Sequence, residues 1–168
     1  MIKKRRVVTR IINNLMLYGF TLLVLSSALV SCGEGAYYDN VYSFDNSTWV
    51  KSDTANFQVE VDDTTHQYNF ELSLRTTVEY GYSNLWMYIL STAPDGTTSK
   101  VAQKIPLARP DGSWLGNVSG TIVQTDVQFA SKHFPLQGEY NFQFVNATQQ
   151  DTIDEVLDIG LRIRKKRN

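Results

Sequence analysis

From residue 56 onward, apolar and polar residues alternate along the chain, which is the pattern of a β-strand with one buried face. Segment 57–61 is the first clear example, because its odd positions are apolar and its even positions are polar. The same alternation recurs in segments 68–74, 140–144 and 157–163. The sequence therefore predicts four strands that each bury one side.

Segment 85–90 (Leu-Trp-Met-Tyr-Ile-Leu) is apolar at every position rather than at alternate ones. Such a run predicts a central strand that is covered on both faces. Weaker strand patterns occur near residues 41–44, 101–105 and 121–129, and residues 149–156 are compatible with one short helical turn.

Turn sequences separate the predicted strands. Pro-Asp-Gly occurs at 94–96 and again at 110–112, and this tripeptide favours reversal of the chain. Short strands joined by such turns, with no sustained helical periodicity, predict an all-β fold. The expected architecture is one domain, an antiparallel β-sandwich or jelly roll.

The first thirty residues have a different pattern. Residues 1–14 contain five Lys and Arg and no acid, and an apolar run of 16 residues follows at 15–30. A transmembrane helix needs roughly 20 apolar residues, so a signal peptide is the better interpretation. The run ends in Leu29-Val30-Ser31-Cys32, which resembles a bacterial lipobox and contains the single Cys of the chain.

Lipidation of Cys32 would anchor the mature protein, since several acyl chains on one residue give lasting membrane attachment. The alternative is an uncleaved anchor in which Cys32 is a small buried residue. Gly33, instead of Asp, follows Cys32 and favours delivery to the outer membrane. The predicted organisation is a signal peptide at 1–31, a lipidated tether at 32–40, the sandwich at 41–164 and a basic tail at 165–168.

The overall charge of -1 conceals an acidic domain. Without the signal peptide, 11 Lys and Arg face 17 Asp and Glu, and residues 32–161 retain only 6 basic residues against those 17 acids. A domain with this charge is a poor nucleic-acid binder, and the basic residues after 161 are expected to form a solvated terminus or to contact lipid headgroups.

Catalytic and metal chemistry have little support in the sequence. One Cys excludes an intrachain disulfide, and His66 and His133 are too few for a histidine-built metal centre. Glu60, Asp62 and Asp63 lack the spacing of a calcium loop, and no hydrolase or phosphate-binding motif occurs. We therefore expect a protein that is not an enzyme and binds no metal or cofactor.

Four short motifs follow one another along the predicted strands. They are Arg75 with Tyr80-Gly-Tyr82-Ser-Asn84-Leu85, then Asp111-Gly-Ser-Trp114-Leu-Gly116, then Phe134-Pro135-x-x-Gly138-x-Tyr140, and finally Asp158-Ile-Gly160-Leu161-Arg162-Ile163. Together with the lipobox, their order resembles the gliding motility lipoprotein H family of Bacteroidetes.

The resemblance implies a lipid-anchored protein of the cell envelope, and Gly33 after Cys32 places it at the outer membrane. It implies a non-enzymatic interaction or assembly component of the motility machinery, loosely linked to type IX secretion, whose partners are other envelope proteins. No catalytic residues accompany the resemblance.

Two groups of residues in or beside these motifs have both a structural and a functional interpretation. Arg75 and Arg162, on polar faces of strands, are expected to pair with carboxylates. Tyr80, Tyr82, Trp86 and Trp114 are either core residues or an aromatic surface that binds glycan or peptide. The second interpretation predicts a surface ligand-binding module.

Three tripeptides resemble the Asp-Ser/Thr-apolar pattern used for O-glycosylation in Bacteroidetes. They begin at Asp53, Asp63 and Asp151, and their candidate acceptors are Thr54, Thr64 and Thr152. Exposure of these threonines on loops would favour modification.

Overall fold

The computed structural model describes residues 35–166. The predicted signal peptide, the lipobox residues Leu29, Val30 and Ser31, and Cys32 lie outside the described residues. Eleven strands occur within the described range: β1 (Tyr38–Ser43), β2 (Thr48–Val50), β3 (Thr54–Val61), β4 (Gln67–Thr77), β5 (Asn84–Thr92), β6 (Thr98–Pro106), β7 (Asn117–Ser119), β8 (Ile122–His133), β9 (Gly138–Asn146), β10 (Thr152–Asp154) and β11 (Val156–Lys165).

Two antiparallel sheets pack face to face, which confirms the predicted β-sandwich. The larger sheet has the strand order β1-β11-β4-β8-β7, and the smaller has the order β3-β9-β5-β6. A short pair, β10 with β2, closes one end. Consecutive strands cross between the sheets, as β3 to β4 and β8 to β9 do, so each sheet is built from segments that are not contiguous in the chain.

The core lies between the two sheets and follows the predicted alternation. In β4 every second residue is buried from Tyr68 to Thr76, and β3 and β9 repeat the pattern. A group of aromatic rings fills one end of this interior, with Phe70 within 5.3 Å of Phe134 and 5.8 Å of Phe142 between ring centroids. Interlocking rings of this kind give a large apolar burial per residue.

The prediction that segment 85–90 is covered on both faces is wrong. Leu85, Met87 and Ile89 face the core, whereas Trp86 is 43% exposed and Tyr88 and Leu90 are only partly buried. These three residues lie on the outer face of the smaller sheet, over which the described chain places no third layer.

The predicted helical turn at 149–156 is also wrong. Residues 152–154 form β10, in which Ile153 is buried opposite Trp49 of β2. Glu155 then adopts a φ of 66°, which lies in the left-handed region and separates β10 from β11. Paired backbone and an apolar contact outweigh the weak helical preference of this segment.

The ordered domain extends beyond both ends of the 41–164 range. β1 begins at Tyr38, within the predicted tether, because its backbone pairs with β11 from Tyr38 opposite Ile163 to Ser43 opposite Asp158. β11 ends at Lys165. Within residues 35–166, the structure contains no helix with the length and apolarity needed to cross a bilayer.

Candidate functional site

Tyr80 and Tyr82 adjoin in an edge-to-face contact, with ring centroids 5.7 Å apart. Tyr80 is buried and its hydroxyl donates to the carbonyl oxygen of Asn84 at 3.2 Å, and burial raises the pKa of Tyr80 above its usual value. Tyr82 is exposed, and its hydroxyl accepts a hydrogen bond from Nε2 of Gln150 at 2.6 Å. Only the second ring is therefore accessible to a ligand.

Trp86 and Trp114 have equally different surroundings. Trp86 projects from the outer face of β5, with Nζ of Lys104 5.8 Å from its ring centroid. Trp114 packs partly against the core, and Nη1 of Arg109 donates to its carbonyl oxygen at 3.2 Å. Tyr82 and Trp86 are thus the exposed members of the predicted aromatic group, while Tyr80 and Trp114 support the fold.

Arg75 and Asp158 join the first and fourth motifs directly. They are opposite each other on β4 and β11, and Nε of Arg75 donates to the two carboxylate oxygens at 2.8 and 2.9 Å, with Nη2 also donating. Asp158 is only 4% exposed, whereas 43% of the Arg75 side chain remains accessible. Hydrogen bonding to Asp158 raises the pKa of Arg75. A paired, enclosed carboxylate of this kind holds two strands in register.

Arg162 also pairs with a carboxylate, because its Nε donates to Oδ2 of Asp39 at 2.8 Å. This hydrogen bond raises the pKa of Arg162. Both partners are substantially exposed, unlike Asp158. The carboxylate partners expected for Arg75 and Arg162 are therefore present, and the two pairs differ in burial.

Arg75→Met is expected to lower the free energy of unfolding by about 2–3 kcal/mol at neutral pH, because it leaves an enclosed carboxylate without a countercharge. Asp158→Asn should cost less, about 1–2 kcal/mol, since the half-exposed guanidinium of Arg75 can be hydrated. Urea unfolding monitored by tryptophan fluorescence measures both losses.

Arg162→Met is the matched control for this pair, because its ion pair with Asp39 is solvated and is expected to contribute less than about 1 kcal/mol. Equal losses for Arg75→Met and Arg162→Met would contradict the role assigned to burial of Asp158.

The second motif forms a tight turn that packs against β8. Oδ1 of Asp111 accepts hydrogen bonds from the backbone N–H of Ser113 at 2.9 Å and from its hydroxyl at 2.7 Å, and these bonds lower the pKa of Asp111. Gly112 has a φ of 84°, which glycine adopts readily. A Cβ at Gly116 would clash with the carbonyl oxygen of Gln124, so this glycine permits close contact.

The third motif connects β8 with β9. The hydroxyl of Tyr140 donates to the carbonyl oxygen of Leu136 and accepts from its N–H, both at 3.1 Å. Gly138 has a φ of 119° and its backbone lies close to the ring of Pro94. Phe134 is buried, with its ring centroid 4.8 Å from that of Tyr140. The motif therefore shapes one end of the sandwich.

Asp63, one of the acidic residues near His66, bonds to the last residue of β11. Oδ2 of Asp63 accepts a hydrogen bond from Nζ of Lys165 at 2.8 Å and lies 2.6 Å from Nδ1 of His66. Bonds from Lys165 and Thr65 lower the pKa of Asp63 below its usual range. Among residues 35–166, no three side chains of His, Cys, Asp or Glu cluster closely enough to hold a metal ion.

The three candidate glycosylation acceptors differ in accessibility. Thr54 is the partly buried first residue of β3, and Thr64 is partly buried in the connection between β3 and β4. Thr152 is exposed on β10. Thr152 is therefore the most accessible of the three acceptors.

Sequence reasoning did not identify Lys100 and Lys104 as surface candidates. Both project from β6, and their ammonium groups lie over the rings of Tyr88 and Trp86, at 3.9 and 5.8 Å from the centroids. Two lysines four residues apart in a weakly patterned strand are an ordinary feature of a sequence. Only the pairing of β5 with β6 places these lysines beside the exposed aromatic residues.

The model of the GldH lipoprotein family matches residues 36–163, which include nearly all of the sandwich. The chain belongs to the GldH lipoprotein family. This membership confirms the resemblance based on the four motifs. In the structure, the first and fourth motifs meet where β4 pairs with β11, and the second and third motifs form turns.

Two relatives in this family align over nearly their full lengths. Gliding motility lipoprotein GldH of Flavobacterium johnsoniae is 26% identical over 152 residues, covering 86% of this chain and 94% of the relative. Gliding motility lipoprotein GldH homolog of Christiangramia forsetii is 26% identical over 163 residues, covering 92% and 97%.

Similarity to solved structures is slight. A chain from the structure of infectious bursal disease virus Gx strain covers 79% of this chain at 13% identity, with a TM-score of 0.31. This chain spans 33% of that viral chain.

Proposed function

We propose that this GldH family member is a lipid-anchored, non-enzymatic envelope protein that acts as an assembly component of a gliding motility machine. The observation that carries the proposal is the match to the family across 36–163, together with near full-length relatives that are named gliding motility lipoproteins. Anchorage through Cys32 at the outer membrane and a connection with type IX secretion are parts of the same proposal.

The chemistry of the sandwich supports a role in binding rather than in catalysis. Its enclosed carboxylate, Asp158, is neutralised by Arg75, and Asp63 is occupied by Lys165 and Thr65. A catalytic acid or base must instead be available to a substrate with a pKa suited to proton transfer. Asp158 and Asp63 instead serve strand pairing and the closure of loops.

Co-purification from native membranes tests the assembly role. The tagged full chain is cross-linked in its native host, extracted with detergent and analysed by mass spectrometry, beside an unrelated tagged lipoprotein as the control. Enrichment of motility or secretion proteins over that control is the expected result. Enrichment of nutrient-uptake proteins instead, or of none of these, would contradict the proposal.

A second candidate function is a surface module that captures glycan or peptide. The exposed rings of Tyr82 and Trp86 favour it, because flat aromatic faces stack on sugars and on peptide side chains. Glycan-array binding that is lost in both Tyr82→Ala and Trp86→Ala, while the core variant Tyr80→Phe retains it, would support this function over assembly.

A further inference from the structure

The outer edge of β6 has a row of backbone groups that pair with no other strand of the described chain, although the carbonyl oxygen of Lys104 accepts a local hydrogen bond from Nε2 of Gln103 at 3.0 Å. The N–H of Leu107 donates to the carbonyl of Ser83, and the N–H of Ala93 donates to that of Thr97, each at 2.8 Å. In an antiparallel pair of strands, hydrogen-bonded residue pairs alternate with non-hydrogen-bonded ones. The two bonds, one beyond each end of the β5–β6 pairing, therefore show that odd-numbered residues of β6 bond to β5 and that even-numbered ones do not. The N–H and C=O groups of four residues therefore point away from β5: Thr98, Lys100, Ala102 and Lys104.

No other strand of the described chain pairs with that edge. β6 is the last strand of its sheet, and its first five residues are all exposed. In residues 35–166, no backbone hydrogen bond from another segment reaches the four outward positions. An edge of this kind is a template for an added strand.

The other strands that end the two sheets are shorter than β6, and some of their backbone groups also bond to side chains. β7 has three residues, and in β1 the side chain of Asn40 accepts from the N–H of Val41 at 2.9 Å. On β3, the carbonyl of Thr54 accepts from Nδ2 of Asn56, and that of Glu60 accepts from the hydroxyl of Tyr37. β6 has nine residues and is the longest of the four strands that end the two sheets; β8 also extends beyond its pairing with β7, which covers only residues 122–124.

The charge of the β6 edge is opposite to that of the domain. Residues 84–92 and 98–106 contain no Asp or Glu, although residues 32–161 carry 17 acids and only six bases. Two of those six bases are Lys100 and Lys104, which share the outer face and lie about 14 Å apart along the strand. Within residues 35–166, neither ammonium is within 4.0 Å of a carboxylate oxygen.

Apolar surface adjoins both faces of the same strand. Trp86 lies beside Lys104 on the outer face, and Val101 is 54% exposed on the opposite face. At the far end of β6, Pro106 lines a surface cavity of about 310 Å³ whose other lining residues include Leu115 and Val127 but also the polar Gln124 and Asp126. A bound strand would cover the exposed apolar surface of Trp86 and Val101 while its backbone paired with β6.

We propose that β6 is a docking edge for an extended, acidic segment of a partner protein. The segment adds a fifth strand to the smaller sheet, carries carboxylates four residues apart opposite Lys100 and Lys104, and places apolar side chains over Val101. This inference rests on the proposed assembly role and specifies the chemistry of one partner.

A second copy of the chain is a poor occupant of this edge. Antiparallel pairing of two β6 strands centred on Ala102 would place Lys100 of each copy opposite Lys104 of the other. Like charges directly opposite each other destabilise a strand pair, and lysines on edge strands commonly prevent self-association. Charge complementarity therefore favours an acidic segment of another protein.

The probe is a synthetic peptide, acetyl-Thr-Val-Glu-Val-Thr-Val-Glu-Val-Thr-amide, in which the two glutamates match the lysine spacing. Its counterpart carries Lys in place of both Glu residues. Fluorescence anisotropy with the full lipidated chain in detergent measures affinity, and amide hydrogen exchange locates the bound strand. We expect the acidic peptide to bind and to protect amides between residues 98 and 104, and the basic peptide to bind at least roughly tenfold more weakly.

Two variants separate charge from backbone pairing. The double variant Lys100→Glu/Lys104→Glu should reverse the preference, so that the basic peptide binds better. Ala102→Pro removes one outward N–H without affecting pairing to β5, and should weaken both peptides. The charge-matched control, Lys51→Glu/Lys166→Glu, alters two exposed lysines away from β6 and should bind as the unmodified chain does.

The proposal would be overturned if the two peptides bound equally, if amides outside residues 98–104 were protected, or if Ala102→Pro bound the acidic peptide as well as the unmodified chain does. It would also be overturned if the unmodified chain formed concentration-dependent dimers that Ala102→Pro does not form. In native membranes, the Lys100→Glu/Lys104→Glu chain should lose one co-purifying partner. If it keeps every motility partner, the β6 inference fails and the assembly role stands. If the unmodified chain has no such partner, the assembly role itself fails.

Discussion

Replacing Cys32 with Ala is expected to abolish the incorporation of radiolabelled palmitate into the protein, down to the background of cells that do not express it. Cys32 is the only thiol in the chain, and it follows Leu29-Val30-Ser31, which resembles a lipobox. If Cys32 carries acyl chains as proposed, its replacement removes the roughly 0.8 kcal/mol that each buried methylene would contribute to membrane attachment. Gel autoradiography of tagged protein, normalised to the amount of protein, measures the loss.

Ser26→Ala is the control for this change, because it alters the apolar run but leaves the lipobox intact. It should incorporate palmitate as the unmodified chain does. Unchanged labelling of the Cys32→Ala protein would contradict lipidation at this residue. An unlabelled protein of full precursor mass in the unmodified strain would instead support the uncleaved anchor.

Strand positions were predictable where alternation in the sequence coincides with burial on one face. The pattern at 68–74 lies within β4, where alternate side chains enter the core along nearly the whole strand. The failure at 85–90 has a physical reason: Trp86 and Tyr88 are large and apolar in composition, but their rings lie against the lysine side chains of β6 rather than beneath another layer. Composition alone does not distinguish these environments.

The short strands β2, β7 and β10 were not predictable, since three residues do not establish a period. Their pairing depends on distant segments: β10 pairs with β2 across about a hundred residues of chain. Contacts with distant segments therefore decide the structure here. Ile153 of β10 is an example, because it is buried in a strand although the sequence around it is compatible with a helical turn.

For the candidate site, the sequence predicted the type of interaction but not the partner. Arg75 was expected to pair with a carboxylate, and Asp158 belonged to another motif, yet their contact follows from the register of β4 with β11. The β6 edge was less accessible to sequence reasoning, because a free edge is a property of strand order in the sheet. The sequence of residues 98–106 does not indicate which strands lie beside this segment.

Phe134→Ala is expected to lower the free energy of unfolding by about 3–5 kcal/mol, the largest loss of stability that we predict for a single substitution in this chain. Phe134 is 2% exposed, although it lies in the connection between β8 and β9. Its ring centroid is 4.8 Å from that of Tyr140, 5.1 Å from Tyr68 and 5.3 Å from Phe70. Removing the ring leaves a cavity between both sheets that backbone pairing prevents from closing.

Leu136→Ala provides the matched control in the same connection, because Leu136 is 40% exposed and bonds to the hydroxyl of Tyr140 only through its own backbone N–H and carbonyl oxygen. It should cost less than about 1 kcal/mol, and Phe134→Leu should lie between the two variants. Urea unfolding at neutral pH measures all three. A loss below 1 kcal/mol for Phe134→Ala would mean that this end of the core is loosely packed. The presence of the third motif would then have to be explained by binding to a partner. A loss of the predicted size would instead explain the motif by its role in closing this end of the sandwich.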